Sequence, residues 1–182
     1  NAYGLLLMRR GRFADAEGYF RAAIRKLTRS NPNPYDGEPY YNLGVCLRYM
    51  GKYQEAYDSL YKATWNAAQQ ENAFYAMACI RAQSGRYQTA LEHSESGLVR
   101  NAHNMRARTL KCVLLRKLGN GDKAAAYALE SLAINPSNLA AQYELSLLTT
   151  DTQWSQALKQ RVSSNPDWAI ELALEYGDAG LT

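Results

Sequence analysis

A glycine, a basic residue, an aromatic, two free positions and an alanine recur at Gly11 to Ala16, Gly51 to Ala56 and Gly85 to Ala90. A weakened copy at Gly119 to Ala124 keeps the first glycine and the alanine without the aromatic. The glycines stand 40, 34 and 34 residues apart, a period that means an array of short units rather than one irregular core. Each unit reads helix, tight turn, helix. In the best copy Tyr40, Leu43, Gly44 and Leu47 lie along one stripe of a first helix. Gly44 lets a second helix approach closely, and Gly51 suits a left-handed cap at the end of the first. Ala56, Leu60 and Ala63 then form the inward stripe of the second helix. One pair of helices cannot bury both stripes, so neighbouring pairs must stack.

These residues resemble the tetratricopeptide repeat family, whose pattern runs aromatic, two free, leucine, glycine, two free, tyrosine, then alanine, three free, phenylalanine and a late proline. The first copy supplies Gly4, Leu7, Ala16, Phe20 and Ala23; the third supplies Phe74, Met77, Ala78, Ala90 and Gly97, with Arg81 and Ser94 where bulky apolar residues are usual. The fourth keeps Ala124, Ala128 and Pro136 but carries Arg108 and Lys111 on its apolar face. A fifth begins with Gln142, Leu145 and Ser146, a sixth with Leu172, Ala173 and Tyr176. The resemblance implies an all-α, right-handed α-solenoid of about five hairpins and a partial one. The repeats fall at about 1–30, 38–68, 71–102, 105–136 and 139–165, with the partial copy at 166–182.

Composition agrees with a packed helical array. The 182 residues are 47% hydrophobic and 21% charged, which excludes a disordered tail as the bulk of the chain. No apolar run approaches a membrane span, so no membrane association is expected. The stretch 30–39, rich in Asn, Pro, Asp and Gly, accounts for the longer first spacing. It reads as a tolerated insertion, or as a lip over the groove with Tyr35 at its tip. Gly4 already occupies a mid-helix contact and Gly180 a turn, so a segment of a longer chain is expected, with flanking domains as candidate partners.

Little here points to catalysis. Cys46, Cys79 and Cys112 stand 33 residues apart, one per repeat, but stacked helix pairs hold them too far apart to share a zinc ion. Free buried thiols and a reducing, cytoplasmic compartment are the expectation. His93 and His103 lack metal-site spacing, and Glu92, His93 and Glu95 read as a solvated face. No enzyme activity, cofactor or metal is therefore expected of this segment.

Recognition remains. In the family that the sequence resembles, first helices line the concave side, where peptides or partner helices lie. That face takes Arg9, Tyr41, Asn42, Val45, Arg48, Tyr49, Tyr75, Cys79, Gln83, Arg106, Thr109, Val113, Arg116, Lys117 and Tyr143. Tyrosine and arginine carry interface energy well, so an acidic, partly apolar protein or peptide is the expected partner. A subfamily that clamps C-terminal carboxylates uses lysines and asparagines here, and only Asn42 matches. Residues 1–30 hold seven Lys or Arg against Asp15 and Glu17, whereas 151–182 hold Lys159 and Arg161 against five acids. Opposite ends of that kind allow head-to-tail docking into a homo-oligomer. A net charge of +4 is too mild for nucleic-acid binding. A second resemblance, over residues 165–181, is to bacterial proteins that join such repeats to a sugar-associated β-sandwich domain. It implies a structural role in a multidomain carbohydrate-related protein.

Overall fold

The computed structural model describes residues 1–32 and 34–181, which hold eleven helices and no strand. They are α1 (Ala2–Arg9), α2 (Phe13–Thr28), α3 (Glu38–Tyr49), α4 (Tyr53–Ala63), α5 (Gln70–Gln83), α6 (Tyr87–Arg100), α7 (Met105–Lys117), α8 (Gly121–Ile134), α9 (Leu139–Leu148), α10 (Thr152–Ser164) and α11 (Asp167–Asp178). The chain divides within α5 into two compact units, Asn1–Ile80 and the residues from Arg81 onward.

The repeating glycines end first helices. Gly11, Gly51, Gly85, Gly119 and Gly180 have φ between 69° and 79°, where a side chain would be strained. At Gly51 the amide donates to Arg48 O at 3.0 Å and the next amide, Lys52 N, to Leu47 O at 2.9 Å. The same pair of bonds recurs at Gly180, whose following amide, Leu181 N, donates to Tyr176 O at 2.9 Å. Tyr176 is thereby in phase with Leu47, as the sequence expected of a sixth first helix.

Small residues set the crossings. In the first unit a Cβ on Gly44 would lie 2.6 Å from Leu60 Cγ, and one on Gly4 2.6 Å from the Phe20 ring. Leu7, Phe20, Leu43, Leu47, Ala56, Leu60 and Met77 form the core between these crossings. In the second unit Ala90, Ser94 and Leu98 of α6, Leu110 and Leu114 of α7, Ala124 and Ala128 of α8, and Leu145 of α9 are buried in the same phase.

The polar departures are absorbed locally. Ser94 donates to Ala107 O at 3.0 Å. Arg108 is only 3% exposed: its Nε donates to Ser131 Oγ at 2.9 Å, it pairs with Glu130 at 2.8 Å, and its guanidinium lies 4.4 Å from the Tyr127 ring centre. Lys111 reaches Glu95 at 2.8 Å. A long stem with a planar head thus fills the space an aromatic fills in sister copies.

The connection after α2 is seated on the end of α4. Asn66 Nδ2 donates to Tyr35 O, and Gly37 packs against Ala63 and Asn66 where a Cβ would not fit. The Tyr35 ring is exposed; Asn33, in the same connection, and Thr182, the last residue of the partial repeat, lie outside the described residues.

The partial repeat expected at 166–182 holds α11. α11 packs on α10 and α9 and also reaches α7 and the last turn of α5, over the first helices of its own unit. Its inward stripe finds a partner there in a buried carboxylate and two arginines.

Candidate interaction surface

In the first unit the first-helix face is partly open. Leu5, Met8, Arg9, Phe13 and Tyr49 line a cleft of about 360 Å³ between α1, α3 and the start of α2. Tyr49 is 55% exposed and stacks on Phe13, ring centres 5.5 Å apart at 25°. Arg9 is exposed beside it, and Tyr41 and Val45 are half-buried. This leaves a cation and a rigid aromatic at one solvent-facing cleft.

Three residues expected on that face are buried instead. Asn42 donates from Nδ2 to Asn1 Oδ1 at 3.0 Å and to Glu38 Oε1 at 3.4 Å. Arg48 is buried with its guanidinium 5.9 Å from the Tyr49 ring centre. Tyr75 is buried along α5. The cause is shared: a first helix in a stacked array gives part of its face to its neighbours, and one turn of helix decides which side chains stay in solvent.

In the second unit the corresponding face is covered by α11. Thr109 is 5% exposed and Val113 is wholly buried, whereas Tyr41 and Val45, their counterparts in the first unit, are half-open. Arg106 pairs with Asp178 of α11 at 2.6 Å. Thr109 hydrogen-bonds the Glu175 side chain. Gly180 sits so tightly on Gln83 that an added Cβ would fall 1.8 Å from Gln83 Cγ and 2.9 Å from its Cβ. Tyr143 meets Tyr176 edge-on, ring centres 5.6 Å apart at 82°. Lys117, by contrast, remains exposed.

The centre of this contact is Glu144, with no exposed surface. Arg116 grips it in fork geometry, Nε to Oε2 at 2.7 Å and Nη2 to Oε1 at 3.1 Å. Tyr176 donates its hydroxyl to Glu144 Oε1 at 2.5 Å. Burial, followed by the Glu144 charge, pushes the Tyr176 phenol above its ordinary range, while the hydrogen bond to Glu144 raises the Arg116 guanidinium against the cost of burial. Burial also raises the Glu175 carboxyl, opposed by the Thr109 hydrogen bond and the Arg106 charge. Sequence reading passed over Glu144 and Tyr176 as contact residues. Glu144 stands 34 residues after Leu110 and 68 after Ala76, so a carboxylate in phase with apolar residues was the available signal.

Cys46, Cys79 and Cys112 are free and buried. Burial raises the Cys46 thiol to about 11 and the Cys112 thiol to about 12, and their Sγ atoms donate to Phe13 O and Ala124 O. These are inert thiols. Burial, aided by the Arg81 charge, lowers the half-buried His93, so the cluster read as solvated is so only at Glu92 and Glu95. Among the described residues no group of three or more His, Cys, Asp or Glu side chains is placed to hold a metal, and no helix is long and apolar enough to cross a membrane.

Two models of the tetratricopeptide repeat match the chain, one over residues 1–64 and one over 75–138. Among solved structures, a tetratricopeptide repeat protein from Parabacteroides merdae ATCC 43184 is similar at a TM-score of 0.72 and 24% identity, over 99% of this chain and 72% of that one. MamA 41-end from Desulfovibrio magneticus RS-1 is similar at a TM-score of 0.67 and 19% identity, over 94% and 92% of the two chains. YrrB, described as a tetratricopeptide repeat protein with an unusual peptide-binding site, is similar at 0.66 and 18% identity, over 98% and 87%.

Proposed function

Because this chain belongs to the tetratricopeptide repeat family, we propose that it is a non-catalytic scaffold that binds a partner protein or peptide on the face of its first helices. The single observation that carries this reading is the open cleft of the first unit. There Arg9 and Tyr49 stand at the rim of an apolar floor made by Leu5, Met8 and Phe13. A cation beside a rigid aromatic over apolar surface favours a ligand with carboxylates and one or two apolar anchors. The buried state of Asn42 supports a ligand other than a C-terminal carboxylate, since its amide is already engaged.

The test is selection of peptides from a displayed random library on the immobilised chain, followed by calorimetry of the best binder. Selected peptides should be acidic, and Arg9→Glu or Tyr49→Ala should weaken their binding by roughly tenfold or more, the loss typical of a central interface residue. Binders whose affinity neither change alters would contradict the reading.

A further inference from the structure

The face of α7 and α9 in the second unit already holds a helix, and that helix reports what the face selects. α11 presents Leu172, Glu175, Tyr176 and Ala179 on one side, at the three- and four-residue intervals that align a helix stripe. Its opposite side carries Ile170 and Leu174, both more than half exposed. The inward contacts are chemically specific rather than merely apolar. Asp178 pairs with Arg106, Glu175 with Thr109, and the Tyr176 hydroxyl with a carboxylate sealed beneath it. α11 nevertheless carries the signature of a repeat's first helix, including the glycine cap and the bond from Leu181 N to Tyr176 O. A segment with the sequence of a stacking helix is thus used as a groove ligand.

We propose that α11 is the resident occupant of a helix-binding groove on α7 and α9, and that the external partner is a helix of like chemistry that binds by displacing it. The partner's helix presents a tyrosine with a carboxylate two residues after it, as Tyr176 and Asp178 do. Charge complementarity supports this choice. Arg106 at the rim selects the trailing carboxylate. Glu144, whose Oε1 accepts from both Arg116 and Tyr176, selects a hydroxyl over a bare ring. The proposal rests on the scaffold reading but concerns a different unit from the Arg9 and Tyr49 cleft, so either can fail alone.

The probe is a fluorescein-labelled synthetic peptide of residues 165–181, titrated by anisotropy against the full chain. Asp178→Arg, which breaks the pair with Arg106, and Ala179→Glu, which puts a charge at a buried position, loosen α11 from two separate points and leave α7 and α9 unaltered. Each variant should bind the peptide at least tenfold more tightly than the wild type, whose groove is filled. A peptide carrying Tyr176→Phe should bind either variant roughly tenfold less tightly, the loss expected when a hydrogen bond to a charged group is removed. Equal affinity of wild type and both variants, or indifference to the Tyr176 hydroxyl, would overturn the proposal. So would a wild type that exchanges α11 with a second copy, seen as concentration-dependent dimers abolished by Asp178→Arg. Circular dichroism of each variant verifies that the remaining helices are intact.

Discussion

At the scale of single residues, the most consequential feature is a carboxylate where sister repeats carry Ala76 and Leu110. Glu144 is tolerated because Arg116 neutralises it in fork geometry, with Tyr176 adding a third hydrogen bond. Removing one member of such a pair leaves an unpaired buried charge, whereas removing both leaves only the neutral Tyr176 hydroxyl without its acceptor. Arg116→Met is therefore expected to cost about 3–5 kcal/mol, and Arg116→Met with Glu144→Leu to recover most of that loss. Urea denaturation of both variants checks this; equal destabilisation by the single and the double change would contradict it. The residues that set the repeats were legible because their role is steric. Gly44, Ala56 and Ala90 recur where helices cross, and a Cβ or a larger side chain there has no room. Glu144 was not legible in the same way. Its partners lie 28 residues back and 32 ahead, and no local pattern links them.

At the scale of elements, α11 separates local sequence from tertiary outcome. Its stripe, its glycine cap and its phase all follow the repeat, and these were readable. Its destination was not, because the same stripe can pack on a helix of its own repeat or on α7 and α9. Arg106, Arg116 and Glu144 decide the matter, and all three lie outside the segment. The loop at 30–39 gives the converse case: its turn chemistry announced an irregular connection, and Asn66 fixes where it sits. Docking of α11 carries a pH dependence of definite sign. Burial raises the Glu175 carboxyl above its ordinary value, so the docked helix holds that proton more tightly than the released one. Facing it are Thr109 and Arg106 of α7, with Asp178 one turn along α11. The docked form is therefore favoured below the ordinary carboxylate value and loses that advantage as pH rises through the raised one. Glu175→Gln should flatten the slope. Amide chemical shifts of α11 followed across that range in both proteins measure it, and an identical slope in the variant would assign the effect elsewhere.

At the scale of the molecule, two first-helix faces of related sequence end in different states. In the first unit Tyr49 and Arg9 border an open cleft; in the second, Arg106, Thr109 and Glu144 meet α11. The sequence supplied a single set of face residues and no means of telling open from filled, since exposure depends on what is packed opposite. The charge asymmetry it revealed has a local counterpart. Of the acids near the C-terminal end, Asp178 meets Arg106, while near the start Arg21 and Lys52 share Glu17.

The covered face of the second unit is most directly tested by disulfide trapping. An added Cβ at residue 180 would lie 2.9 Å from that of Gln83, whereas one at Gly177 would have nothing within 4 Å. The chain with Gln83→Cys and Gly180→Cys should form an intramolecular bond under mild oxidation, with a small backbone shift to reach disulfide geometry, and the chain with Gln83→Cys and Gly177→Cys should not. Five free thiols in the first protein, where a bond would leave only the three native cysteines free, or equal bonding in both, would contradict a helix seated on α7 and α9.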